Sequence, residues 1–332
     1  MRGGSARACI GVDIGGTNLR FALVGAQGAI HLRERSQTEI SLGRESFLER
    51  LVSGIGAVQK SAHPLGLEVH AVGMGIPGLI ARSGVVLSSP NLKAIEGVNL
   101  KEAVAQATGL PVIAVNDANA AAYGEKSYGA GRVFDSFLLL TLGTGVGSGL
   151  ILNGELWSGI DGVAAEYGHA TVEPDGLPCH CGNRGCLEQY ASASALAAAA
   201  LRALDEGGAG ALAGLPRSDI TAETVAAAAR RGDPLALALF EKAGRYLGIA
   251  GATVVNLLNP EAILLGGGVA ASFDLLAEPI RREILDRAFT VPARRVRIVK
   301  GELGDDAGIL GAAALAGKGV SSSDSKSQSC NV

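Results

Sequence analysis

The sequence predicts a two-lobed α/β fold, on three observations. Short apolar segments that end in glycine turns alternate with longer segments whose apolar residues recur at helical spacing. The glycine-turned hairpins after Asp13 and after Thr141 read as faint copies of one another, the trace of a duplication. With 332 residues, 48% of them hydrophobic, the chain is also long enough to bury more than one core.

The first series begins with apolar segments at 8–14, 19–25 and 28–32 joined by glycines, a β-meander, and continues with a helix over 44–60. A strand at 69–76 stops at Pro77-Gly78, a helix covers 99–108, and a strand at 112–115 closes on Asn116-Asp117, where the first lobe ends. The second series has a strand pair at 136–142 and 148–152, helices at 188–204, 221–230 and 235–258, a strand at 262–265 and a helix from about 272. A helix at 305–317 is expected to pack back on the first lobe. The lobes are therefore 1–116 plus 305–318, and 117–304 with the loop 169–186 inside it. Residues 319–332 lack an apolar face and are expected to be disordered, leaving Cys330 as an exposed thiol.

Composition removes several function classes. A formal net charge of −3 supplies no basic field, so nucleic acid is a poor partner and any anionic ligand must be held locally. No apolar run is long enough to span a membrane. The basic start is cut by Asp13 with no small-residue cleavage site, which argues against a secretory signal. Of five cysteines, Cys179, Cys181 and Cys186 crowd into one loop, a pattern of metal binding in a reducing cytoplasm rather than of a disulfide framework. The 48 glycines gather where apolar runs end, suiting backbone-lined sites.

Three glycine turns carry the chemistry. Asp13-Ile-Gly15-Gly16-Thr17-Asn18 places an acid at a strand end, then glycines whose N–H groups can approach phosphate oxygens, with Asp13 able to hold Mg²⁺ through water. A plain hairpin turn with an incidental acid is the alternative. Gly143-Thr144-Gly145-Val146-Gly147 repeats the pattern after a second strand, so that two turns can grip one triphosphate. Neither is a P-loop, since no Gly-Lys-Ser/Thr follows. Gly266-Gly267-Gly268 ends a third strand before a helix and is placed to receive an adenosine. Asp117 has two readings, a cap on the alanine-rich helix that follows it, or the base that takes a hydroxyl proton in phosphoryl transfer. Finally, His169 with Cys179, Cys181 and Cys186 makes a closed set suited to structural Zn²⁺. In an extended Cys-x-Cys the middle side chain points away from the two thiols, which favours His169 over His180 as fourth ligand.

On these residues the chain resembles the ROK family of bacterial sugar kinases and related repressors, and its glucokinase-like members in particular, from about residue 8 to residue 317. The resemblance implies an actin-like (ribonuclease H-like) ATPase fold, two lobes with a cleft between them, and transfer of the γ-phosphate of Mg-ATP to the 6-hydroxyl of glucose. It implies Asp13, Gly15, Gly16, Thr17 and Asn18, together with Gly143 through Gly147, as phosphate turns, Gly266 through Gly268 on the adenosine side, and Asp117 as catalytic base. By the same resemblance Asn91, Asn116, Asp117, Glu166, His169 and Glu188 contact the sugar, while His169, Cys179, Cys181 and Cys186 ligate zinc. It implies a homodimer or homotetramer as well. Local alternatives stand beside two of these: Asn91 after Pro90 as a turn residue, and Glu188 as an acid starting a helix. N-acetylglucosamine, N-acetylmannosamine, fructose and mannose are the other sugars such motifs serve. A sugar-responsive regulator is the non-catalytic alternative, set back because the first strand begins near residue 8 with no basic recognition helix ahead of it.

Overall fold

A computed structural model describes residues 6–328. In chain order the elements are β1 (Ala6–Ile14), β2 (Asn18–Val24), β3 (Ile30–Gln37), α1 (Arg44–Ala62), β4 (Leu67–Ile76), β5 (Leu79–Ile80), β6 (Val86–Ser88), α2 (Leu100–Thr108), β7 (Val112–Asn116) and α3 (Asp117–Tyr128). There follow β8 (Phe137–Leu142), β9 (Val146–Leu152), β10 (Glu155–Trp157), α4 (Glu188–Ala191), α5 (Ala193–Asp205), α6 (Ala222–Arg230), α7 (Pro234–Leu258), β11 (Ala262–Gly266), α8 (Phe273–Arg287), α9 (Thr290–Arg295), β12 (Arg297–Lys300) and α10 (Ala307–Gln328).

Two five-stranded sheets share one plan. The first has the order β3-β2-β1-β4-β7 and the second β10-β9-β8-β11-β12. In each, antiparallel strands lie on one side, β1–β2–β3 and β9–β10, and parallel strands on the other, β1–β4–β7 and β8–β11–β12. The two sheets thus correspond strand for strand, although β10 and β12 have no counterpart in the sequence reading. β5 and β6 form a separate two-stranded sheet.

By contacts the chain divides into two compact units, the first holding residues up to Val133, Gly149–Ala165 and Asp305 onward, the second Phe134–Ser148 and Glu166–Gly304. The boundary expected after Asn116 falls later because α3 packs into the first unit, against β4 and α10. In that unit α1 buries Phe47, Leu51, Ile55, Val58 and Ala62, a stripe at three- and four-residue spacing, in one cluster with Ile10, Val12, Phe21, Val72 and Met74 of the sheet. The opposite face takes α10 at backbone distance. A Cβ on Gly11 or Gly73 would lie 2.1 and 1.8 Å from the carbonyl oxygens of Ile309 and Ala312, and one on Gly311 would lie 1.7 Å from that of Ala120. Only glycine permits such an approach.

In the second unit α7 is the longest helix among the described residues. Asp233 caps it by accepting the Ala236 N–H at 2.9 Å, Pro234 supplies its first turn, and Asn259 ends it in the left-handed region at φ 50°. The helix read as 188–204 is two, because Ser192 adopts an extended conformation and caps α5 through the Ala195 N–H at 3.0 Å.

Two further expectations are corrected or bounded. The segment from 319 to 328, expected to be disordered, continues α10, as extension of an existing helix avoids the cost of nucleation even without an apolar face. Residues 329–332, with Cys330, lie outside the described residues. Among the described residues no helix is long and apolar enough to cross a membrane.

Candidate active site and metal centre

The first unit gathers carboxylates at the carboxyl ends of its parallel strands. Asp13 pairs in register with Gly75, and Ile76 with Asn116, so β1, β4 and β7 finish together and deliver Asp13, Asn116 and Asp117 to one edge of the sheet, where ligands bind in open α/β folds. The turn after Asp13 is fixed by its backbone, Gly15 N–H to Asn18 O at 2.8 Å, and by the buried Thr38, whose hydroxyl donates to Gly15 O at 2.7 Å. Gly16 and Thr17 are exposed beyond it. Asn18 lies at its end, accepting from Arg35 Nε at 3.0 Å. Exposed Asn91 stands against this turn, its Cβ 3.3 Å from where a Cβ on Gly16 would be.

Asn116, rather than Asp117, caps α3. Its side-chain oxygen accepts the N–H groups of Ala118 at 2.9 Å and Asn119 at 3.1 Å, while its amide donates to Gly78 O at 3.0 Å. Asp117 is thereby released from most of the capping work, though its Oδ1 also accepts the Ala118 N–H, at 2.9 Å. Burial pushes its carboxyl up to about 6, helped by the nearby charge of Asp13 and opposed by the Ala118 N–H. A carboxylate tuned toward neutral pH is suited to accept a proton.

In the second unit the other two glycine turns lie side by side. Thr141 pairs with Gly266, so β8 and β11 end together, and a Cβ on Gly267 would meet Leu142 O at 2.6 Å. Thr144 and Gly268 are exposed at the tips. Glu188, first residue of α4, reaches the earlier turn. Its Oε2 accepts the Val146 N–H at 3.0 Å and fills the space that a Cβ on Gly145 would occupy. Exposed Glu166 follows Ala165, which takes the left-handed φ of 69°, an unusual conformation for a residue with a Cβ.

His169, Cys179, Cys181 and Cys186 place four donor atoms within 4.8 Å of one another, and exposed His180 stands outside the group. Cys179 Sγ lies 3.7 Å from His169 Nδ1, and Cys181 Sγ 3.7 Å from Cys186 Sγ, separations that a tetrahedral ion with thiolate ligands requires. The loop is built for that convergence. Gly182 and Gly185 have φ of 92° and 68°, and a Cβ on Gly185 would strike Glu173 O. Gln189 and Asn183 direct amide N–H groups at Cys179 and Cys186, the usual outer support of a thiolate site. Burial and the neighbouring sulfurs push the Cys186 thiol up to about 12, so the bare set resists carrying three negative charges, and a divalent cation would supply the missing compensation. Nδ1 is the ring nitrogen turned to the sulfurs, leaving Nε2 for another partner.

Some contributors were not visible in the sequence. Arg20 pairs with Asp13 across the β1–β2 hairpin, Nε to Oδ2 at 2.8 Å and Nη2 to the same oxygen. Ser148, buried, accepts the Tyr167 N–H at 2.9 Å, and a Cβ on Gly168 would lie 1.9 Å from Val146 O, so the segment bearing Glu166 and His169 is pressed onto β9. Tyr167 locks it to α7 by donating to Ala250 O at 2.7 Å. Strand alternation hints at the first pairing; the others depend on contacts that no local pattern announces.

Known proteins resemble the chain over most of its length. Residues 9–318 match the model of the ROK family. The chain is 39% identical to a glucokinase of Thermotoga maritima over 92% of its length and 96% of the relative's. It is 32% identical to a putative xylose repressor of Caldicellulosiruptor sp., over 92% of this chain and 77% of that one. Among solved structures, that of a ROK family glucokinase from Streptomyces griseus in complex with glucose and AMPPNP superposes with a TM-score of 0.79 at 36% identity, covering 94% of this chain and 99% of the other. The fold is accordingly the actin-like α/β fold of two lobes, and the chain belongs to the ROK family.

Proposed function

We propose that this protein is an ATP-dependent glucokinase that transfers the γ-phosphate of ATP to the 6-hydroxyl of glucose. The observation that carries the reading is the pair of Asp13 and Asp117 at one sheet edge beside a glycine turn, with burial raising the Asp117 carboxyl to about 6. Asp117 takes the proton of the sugar hydroxyl as its oxygen attacks phosphorus. The bond from phosphorus to the bridging oxygen breaks, and its electrons leave with ADP. Asp13 is the residue that would hold Mg²⁺, whose charge helps to neutralise the transferring phosphoryl group when bound. Glycine N–H groups of the turns at 15–18 and 143–147 hold phosphate oxygens, and the turn at 266–268 serves the adenosine. Asn91, Asn116, Asp117, Glu166, His169 and Glu188 are the proposed sugar contacts. His169 Nδ1, Cys179, Cys181 and Cys186 would hold a structural Zn²⁺ with no open position for water.

The gathering of Cys179, Cys181 and Cys186 with His169 as a metal-binding set rather than a disulfide framework supports a reducing cytoplasm. A homodimer or homotetramer is the proposed assembly. The likeness to a xylose repressor supports a second reading, a sugar-responsive regulator without catalysis. The presence of both Asp13 and Asp117 favours the enzyme. Purified protein assayed for glucose-dependent ADP release decides between them, with N-acetylglucosamine, N-acetylmannosamine, fructose and mannose run in parallel. Turnover with glucose at the highest kcat/KM is expected; absence of turnover with every hexose would remove the kinase reading.

A further inference from the structure

We infer that Arg20 is a positioning residue, holding Asp13 by one carboxylate oxygen so that the other is presented for the nucleotide-bound cation. The inference rests on the kinase reading of Asp13 given above. Asp13 and Arg20 are register partners on adjacent antiparallel strands, so the hairpin brings them together independently of any ligand. Both guanidinium nitrogens that reach Asp13 converge on Oδ2, Nε at 2.8 Å and Nη2 beside it. Oδ1 receives nothing from Arg20 and faces Gly308, in the first turn of α10, where a Cβ would stand 3.7 Å away. A carboxylate clamped this way cannot rotate freely about its last bond, yet keeps one oxygen open.

The surroundings argue that the clamp is built rather than incidental. Arg20 keeps 40% of its side-chain surface exposed, but Asp13 only 14%. The charge of Arg20 also reaches Asp306, whose carboxylate is already held by Arg33, Nη2 to Oδ2 at 2.8 Å. The register partner of Arg20 on β3 is Arg35, engaged with Asn18 at the end of the same turn. Asp117 approaches Asp13 from α3 and adds a second negative charge. Arg20 is therefore within electrostatic reach of two acids, and its charge offsets the crowding of carboxylates at the sheet edge. A hairpin ion pair with no further role would leave nucleotide affinity untouched.

The test uses the full-length enzyme with Arg20→Gln and Arg20→Lys, titrated calorimetrically with ATP in the presence and absence of Mg²⁺, and with glucose. Steady-state kinetics with each substrate varied run alongside. Arg20→Gln is expected to weaken Mg-ATP binding on the order of tenfold, while metal-free ATP and glucose affinities stay within about twofold of wild type. Lysine restores the charge but not the two-nitrogen fork, so Arg20→Lys should recover part of the loss. Mg-ATP affinity equal to wild type in Arg20→Gln overturns the inference. Tighter binding overturns it too, because Arg20 would then be a competitor of the cation, and an equal loss of glucose and metal-free ATP would mark a general structural role. If Arg20→Gln does not fold, Arg20→Lys is read alone, and unchanged Mg-ATP affinity there has the same meaning. Asp13→Ala separates the two claims. Normal Mg-ATP affinity in that variant overturns the reading of Asp13, and the inference with it, whereas a damaged Asp13→Ala beside an unaffected Arg20→Gln overturns the inference alone.

Discussion

Glu188 accepts the backbone N–H of Val146 at 3.0 Å, and so ties the first residue of α4 to a glycine turn proposed to hold phosphate. The same carboxylate oxygen would lie 2.3 Å from a Cβ on Gly145. A residue proposed to contact sugar therefore also sets the shape of the nucleotide turn. Glu188→Ala should raise the KM values of both substrates and lower kcat/KM by roughly 10- to 100-fold, the scale of a charge-assisted hydrogen bond. Gly145→Ala should mimic it by displacing the flexible end of Glu188. The double variant should be little worse than either single one, since both remove one interaction. Full additivity in the kinetics would show that Glu188 acts on the sugar alone.

Asp117→Asn should lower kcat on the order of 10²-fold or more while calorimetric glucose affinity persists, because the local shape is kept and the proton acceptor is lost. In the wild type the carboxylate is the active form and burial lifts its pKa to about 6, so kcat/KM should rise with pH through about 6 and level off above it. Stability runs the other way. A carboxyl whose folded pKa is raised contributes stability below its unfolded value of 3.8 that is lost as pH climbs through about 6. Asp117→Asn should therefore raise Tm on the order of a few degrees at pH 7 to 8, with no gain near pH 4.

Removing the metal should loosen the sugar site and spare the nucleotide turns. Cys181→Ala, or treatment with a strong chelator, should release about one zinc per chain and raise the glucose KM steeply. His169 has Nδ1 among the sulfurs, so losing the ion frees the ring to turn and disorders its Nε2. Elemental analysis with separate titrations of glucose and ATP checks this. A zinc-free wild type with full glucose affinity would take the metal out of the account.

Gly73→Ala should destabilise the first unit severely. The added Cβ would fall 1.8 Å from the backbone oxygen of Ala312, and neither the strand nor α10 can yield without opening the contact. A loss of about 3 kcal/mol or more is expected, at the upper end of overpacking effects, read as a fall in the urea midpoint. Gly56→Ala, in α1 with nothing within 4 Å of the new atom, is the control and should be neutral or slightly stabilising.

Most of the strand and helix plan was legible because its punctuation is local. Gly15, Gly143 and Gly266 close strands, and Asp233-Pro234 opens α7. β12 escaped notice since Arg297-Ile-Val-Lys300 is only four residues, charged at both ends, at a sheet edge. The break at Ser192 was hidden in an alanine-rich run that would serve one helix as well as two. Among the site residues, the cysteine cluster announces itself by spacing, and the structure draws its four donors together. The cap on α3 went to Asn116 rather than Asp117, a choice of one residue that propensity cannot make, since both side chains cap well. Arg20, Ser148 and Gly168 act through register and backbone contact, which composition does not encode.

The first unit draws its last helix from the end of the chain, and that has a consequence for synthesis. A ribosome delivers β1 and β4 early, but the surface around Gly11 and Gly73 is covered only when α10 emerges. The second unit, finished at Gly304, can consolidate first, so the portion begun earliest is completed latest. Until then the nascent protein carries a bare sheet face that invites chaperones or misassembly. A premature stop ahead of Ala307 would leave that face open permanently, and such a product should be recognised as unfolded at its amino-terminal end although every residue there is intact.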